Sequence, residues 1–297
     1  MNLALSTDSN YVFQTGVTIY SAVKNNSSVE DIYILGSNLR REDEDFFSVM
    51  SKTLKRKIIV VPVRENDVCR VISSDHLTPA TFNRLMMDKL LPESVDKILY
   101  LDSDIAVIGD ITKLYSDSRL LSHTAVVVEG YTSMGRKYIK KTSDAGRWEA
   151  AVRCGTAAKR KVGIRRNGKY FNAGVMLINL SKMRQNHIGE KCIAAQKEIG
   201  YFDADQGVLN YILKDEVAYA PLKYNCRPDV YAWKWQHYLR KHAAVFHYSQ
   251  KPWKKLFVAG GAVWWKYAFE LDRHESIKIL KVILIKRGEG IWKEKTQ

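Results

Sequence analysis

Apolar residues in this chain fall into short runs separated by longer stretches with helical spacing. Residues 3–5 read as a first strand, and 11–24 follow with apolar positions three and four apart, as on one face of a helix. Residues 32–35 read as a strand. Residues 43–54 read as a helix whose acidic entry suits the positive end of the helix dipole. The β-branched run 58–61 is a strand. A helix is expected over 81–91, closed by Pro92. Residues 98–101, 125–128, 175–178 and 244–247 read as further strands, and 181–198 and 205–213 as helices. Such alternation predicts an α/β sheet with helices on both faces. Open sheets of this class bind ligands beyond the carboxyl ends of their strands, so polar residues directly after a strand are the ones to weigh.

A length of 297 residues allows one large domain or two small ones, and 46% hydrophobic residues are ample for a core. The net charge of +15 points to an acidic partner: nucleic acid, an anionic membrane or a phosphorylated substrate. It is concentrated between residues 135 and 169, where twelve Lys and Arg meet only Asp144 and Glu149. Cys69, Cys154, Cys192 and Cys226 form no CxxC pair, which argues against a zinc site and for reduced thiols in a cytosolic protein. The start of the chain lacks the basic and long apolar stretches of a signal peptide, and no window reaches the roughly 18 apolar residues that span a bilayer.

Three places after strands carry chemistry. Asp8 and Asn10 follow the first strand and could hydrogen-bond a base and a ribose, although both types also favour helix caps. Asp102-Ser103-Asp104 ends the 98–101 strand. Carboxylates at i and i+2 of extended chain face one side, and such oxygen ligands suit Mg²⁺ or Mn²⁺. His247 ends the 244–247 strand, and a histidine ligand tilts selectivity toward Mn²⁺. Lys251 follows it as a point charge for a phosphate.

Together these segments resemble family 8 glycosyltransferases. The matching stretches are 7–11, Arg84 within 81–85, 97–104, the run from Phe171-Asn172-Ala173-Gly174 to Leu180, Asp205-Gln206 with Leu209-Asn210, and 247–253, all in the family's order. The resemblance implies a GT-A fold, a Rossmann-like α/β domain with a mixed central sheet over residues 1–253. It also implies a UDP-sugar donor, Mn²⁺ (or Mg²⁺), and retention of the anomeric configuration. Asp102, Asp104 and His247 would hold the metal, with Asp102 also near the donor, and Asp8 and Asn10 would contact uridine. Arg84, Asn172 with Ala173 and Gly174, Asp205 and Gln206 would surround the donor sugar, and Lys251 would hold the diphosphate. Asp205 and Gln206 are the catalytic candidates. Gln206 is a poor nucleophile, which favours attack from the leaving-group side. Two departures stand out: Gly207 replaces a common second Asp, and the loop from His247 to Lys251 is short and lacks a glycine.

The resulting expectation is a hexosyltransferase using glucose or galactose in lipopolysaccharide or other cell-surface glycan synthesis, with a saccharide acceptor that is lipid-linked or anionic. An NDP-sugar nucleotidyltransferase is the alternative on the same fold, but the Gly-rich basic N-terminal loop of those enzymes is missing. A nucleic-acid-binding protein fits the charge, but no helix-turn-helix, finger or RNA-binding signature is present, so no nucleic acid is expected. The segment 135–169 is expected to be a basic lid over the acceptor. Residues 254–297 are expected to form a basic, aromatic tail with Trp264, Trp265, Tyr267 and Phe269, which touches the inner face of the cytoplasmic membrane peripherally.

Overall fold

The computed structural model describes residues 1–64, 79–130, 157–165, 168–199, 203–228, 241–255 and 257–275. Its strands are β1 (Leu3–Asp8), β2 (Asp31–Ser37), β3 (Lys57–Val63), β4 (Lys97–Leu101), β5 (Ile105–Val107), β6 (Ala125–Glu129), β7 (Phe171–Asn179), β8 (Val217–Ala220) and β9 (Val245–His247). Seven form one mixed sheet in the order β3-β2-β1-β4-β7-β6-β8. The four from β3 to β4 run parallel, and β7 runs antiparallel to both its neighbours. This is the GT-A arrangement.

Both faces of the sheet are buried over its central strands, which is why those strands read as near-continuous apolar runs. Leu3, Leu5, Leu99, Leu101, Val175 and Leu177 point to one core. Ala4, Ile98, Tyr100, Met176 and Ile178 point to the other. Helices α1 (Val12–Asn25) and α2 (Arg41–Leu54) lie on the first side.

Two expected helices take a different form. The segment expected as a helix over 81–91 is a 3-10 turn, Pro79–Met86, followed by one short α-turn, Met87–Leu90. Its polar groups bond to neighbouring strands: Ser6 donates to the Ala80 carbonyl at 2.5 Å, and buried Asn83 donates to the Leu35 carbonyl at 3.2 Å. The helix expected over 181–198 breaks into Leu180–Gln185 and Ile188–Ile199. His187 between them is left-handed at φ 51°. The second helix starts against Asp88, which accepts the Gly189 N–H at 3.2 Å. A Cβ on Gly189 would lie 2.4 Å from that carboxylate, so only glycine permits the approach.

Of the expected tail, Gly261–Glu275 is a helix packed on α1. Trp264 is fully buried, its ring 4.9 Å from that of Trp253 and 6.3 Å from that of Phe13. Trp265 packs partly against the same core, and its ring lies 5.6 Å from that of exposed Phe269. Residues 276–297, including the apolar run 277–285, lie outside the described residues. Trp264→Ala is expected to lower stability by about 3–5 kcal/mol in urea denaturation. A loss below about 1 kcal/mol would mean that this helix is not part of the core.

Candidate active site

The site forms where β1 and β4 end side by side. After Leu101 the chain turns, with the Asp102 N–H on the Gly174 carbonyl at 2.9 Å. The Ser103 hydroxyl donates to the Ser6 carbonyl at 2.7 Å and accepts from Thr15 at 2.8 Å. The chain then enters β5, which pairs antiparallel with β9 so that Ile105 lies opposite His247. That two-stranded sheet carries His247, 143 positions after Asp104, to the paired carboxylates. His247 Nε2 is 3.1 Å from Asp104 Oδ1 and 3.8 Å from Asp102 Oδ2. One ligand atom from each of the three lies within 4.8 Å of the others. Gly174 leaves the room for this: a Cβ there would sit 2.4 Å from His247 Cε1 and 2.8 Å from Asp102 Oδ2.

Charge is concentrated around the trio. Burial opposes ionisation of Asp104, but His247, when its ring is protonated, and Lys251 outweigh it and hold its carboxyl well below the ordinary range. Lys251 bonds to Asp104 and to the Tyr248 carbonyl, so the short loop after His247 does deliver it to the site. Arg84, 8% exposed, bridges the two halves of the cleft. It donates to the Ala173 carbonyl at 2.8 Å and pairs with Asp102 at 2.9 Å. Its guanidinium also lies 2.5 Å from Asp205, yet the Nε–H points to the Thr81 carbonyl at 3.4 Å, so Asp205 is held there by charge. Burial works against the Arg84 charge, but Asp102 and Asp205 outweigh it and raise its pKa. Burial pushes Asp205 up to about 6, with Arg84 countering in part.

Gln206 is fully engaged. Its Oε1 accepts from Asn172 at 2.7 Å and from the Ala173 N–H at 3.1 Å, and its Nε2 donates to Asp203 at 2.7 Å. Asp203 also accepts from Tyr170 at 2.5 Å.

The cleft has two lobes, of about 210 and 310 Å³, which meet at Arg84, Asp102 and Lys251. Thr7, Asp8, Tyr11 and Ser103 line the first; Asn172, Ala173, Gly174, Asp205, Gln206 and His247 line the second. Asn10 does not join them: it is exposed, and its N–H bonds Asp8 Oδ1 at 2.8 Å in a tight turn that opens α1. Most of the basic segment 135–169 lies outside the described residues.

Sequence reasoning missed Tyr100, Asp203 and Asn225. Tyr100 donates to Asp102 at 3.0 Å and stacks under Arg84 at 4.7 Å. A hydroxyl in an otherwise apolar strand just before two aspartates was the available signal. Asp203, left-handed at φ 54°, and Asn225, whose Oδ1 lies 3.0 Å from His247 Nδ1, had no local signal.

The chain is 26% identical over 285 residues to the lipopolysaccharide 1,2-glucosyltransferase of Escherichia coli K12, covering 91% of this chain and 78% of that protein. It is 26% identical to the lipopolysaccharide 1,3-galactosyltransferase of Salmonella typhimurium over 75% of this chain and 63% of that one. In three dimensions it matches the galactosyltransferase LgtC, solved with donor and acceptor sugar analogues, at a TM-score of 0.72 and 21% identity, over 91% of this chain and 96% of that one. The model of glycosyl transferase family 8 matches residues 2–256, and the chain belongs to that family.

Proposed function

We propose that this glycosyltransferase moves glucose or galactose from a UDP-sugar to a saccharide acceptor in lipopolysaccharide or a related cell-surface glycan, with retention at the anomeric carbon. The observation that carries the reading is the convergence of Asp102, Asp104 and His247 at the point where the two lobes of the cleft meet. The donor set fits a divalent cation. Two carboxylates and a ring nitrogen converge, and Asp104 Oδ1 is buried without a hydrogen-bond donor. Two oxygens with one nitrogen favour Mn²⁺, with Mg²⁺ as a weaker substitute. Such an ion neutralises charge that develops on a departing diphosphate.

The chain's own residues do the rest. Asp8 lines the lobe suited to the nucleoside, and Lys251 supplies a cation for the diphosphate. Asn172 and Arg84 border the sugar lobe. Gln206 is tied at both ends of its amide and Asp205 is held by Arg84, so neither is poised as a nucleophile. This supports attack from the leaving-group side, in which the departing phosphate oxygen takes the acceptor's proton.

The test is UDP release from UDP-glucose, UDP-galactose and UDP-N-acetyl sugars with Mn²⁺, Mg²⁺ or a chelator. Mn²⁺-dependent release from one of the two hexoses is expected. Undiminished turnover in chelator would overturn the metal, and exclusive use of an N-acetyl sugar would overturn the donor.

Peripheral membrane contact belongs to the same proposal. It rests on the basic residues of 276–297 and on exposed Phe269. No helix among the described residues is long and apolar enough to cross a membrane. Truncation after Glu275 is expected to weaken binding to anionic vesicles, most at low salt. Equal binding by the shortened protein would remove the anchor.

A further inference from the structure

A buried amide sits behind His247, outside the short motif stretches that the sequence singled out. We infer that Asn225 sets the tautomer and ring orientation of His247, so that Nε2 presents its lone pair to the point between Asp102 and Asp104; this rests on reading those three residues as the ion site.

The orientation follows from backbone donors, which cannot flip as side-chain amides can. The Gly174 N–H donates to the Asn172 side chain at 3.1 Å, so the accepting atom is Oδ1. The Ala173 N–H donates to Gln206 at 3.1 Å, so that atom is Oε1. Asn172 Nδ2 donates to the same Oε1 at 2.7 Å, and the two assignments agree. One side-chain atom of Asn225 lies 2.8 Å from Asn172 Oδ1; facing an acceptor, it is Nδ2. The other atom of Asn225 is therefore Oδ1. It lies 3.0 Å from His247 Nδ1 and can only accept. Nδ1 thus carries the proton, and in the neutral ring Nε2 keeps the lone pair. Nε2 lies 3.1 Å from Asp104 Oδ1 and 3.8 Å from Asp102 Oδ2. A ring nitrogen that keeps its lone pair so close to two carboxylates calls for a cation among them.

The fold holds Asn225 in place. It is 3% exposed. The Cys226 N–H bonds the Val245 carbonyl at 2.9 Å, and the His247 N–H bonds the Cys226 carbonyl at 2.8 Å, so the chain around Asn225 runs along β9. Partners of this kind behind a ligating histidine typically contribute about 10–100-fold in metal affinity. Asn225 is a positioning residue, acting through His247.

The test uses the full chain and the ions themselves. Mn²⁺ binding is read from the paramagnetic resonance of free Mn²⁺, and Mg²⁺ binding by competition. Asn225→Ala is expected to weaken Mn²⁺ about tenfold or more while changing Mg²⁺ by less than about threefold, because the oxygen ligands remain. Asn225→Asp keeps an acceptor opposite Nδ1 and is expected to bind Mn²⁺ about tenfold more tightly than the Ala variant. Unchanged Mn²⁺ binding in Asn225→Ala, equal loss of both ions, or an Asp variant as weak as the Ala variant each overturns the inference. If Asn225→Ala fails to fold, Asn225→Ser, too short to reach Nδ1, takes its place against Asn225→Asp. Asp104→Asn separates the two layers. It is expected to lose both ions, and wild-type Mn²⁺ binding in that variant would show that the ion site is misplaced and would take the inference down with it.

Discussion

Asp104→Ala is expected to cut UDP release by about 10³-fold, the scale seen when one preorganised stabiliser of developing charge is lost. The Asp104 carboxylate contacts both His247, at 3.1 Å, and Lys251. Its removal would therefore take one of the three proposed metal ligands and also free the lysine from its anchor. The fold is expected to stay intact, because the carboxylate touches these polar groups at the cleft and belongs to neither apolar core. The measurement is Mn²⁺-dependent turnover together with Tm. Turnover near wild type would sink the assignment of the aspartate pair.

Arg84→Ala is expected to damage stability as well as turnover. Arg84 pairs with Asp102 at 2.9 Å and with Asp205 at 2.5 Å, and both it and Asp205 are buried. Removing one partner of a buried ion pair leaves an uncompensated charge and costs about 3–5 kcal/mol. The loss should depend on pH, with a definite sign. Burial raises the Asp205 carboxyl to about 6, so the folded chain binds its proton more tightly than the unfolded chain does. Its contribution therefore favours folding at acid pH and is lost as the pH rises through about 6. Arg84 lowers that pKa, so its removal raises it further and widens the gap between folded and unfolded states. The stability deficit of Arg84→Ala in urea denaturation should thus be larger at pH 8 than at pH 5. An equal or smaller deficit at pH 8 would show that Asp205 is not the group left unpaired.

Much of this was legible in the sequence, because each signal was local. The runs that became β1, β2, β4, β6 and β7 are apolar over consecutive positions, as strands buried on both faces must be, while the equally apolar run of β3 lies half-buried at the sheet edge. Asp102 and Asp104 stand two apart directly after such a run, so their shared direction follows from strand geometry. The family's order of motifs then named Arg84, Asn172, Asp205, Gln206, His247 and Lys251, and the cleft gathers all six. The helical pattern over 81–91 was read correctly as apolar spacing but not as a 3-10 turn. The Ala80 carbonyl and the Asn83 side chain also bond to β1 and β2, and a periodicity does not record such partners.

What the chain determined by itself was the sheet, the two-sided core and the identity of the motif residues, all carried by neighbours in sequence. Only the tertiary structure decided that Asn10 turns to solvent while Asp8 lines the cleft, that Gln206 is tied down on both sides, and that Trp264 belongs to the core. It also placed Asn225 behind His247, 22 residues away along the chain. Most of these depend on which side chain meets which across long separations, and a hydrogen bond or a packed ring is satisfied by position in space rather than by position in sequence.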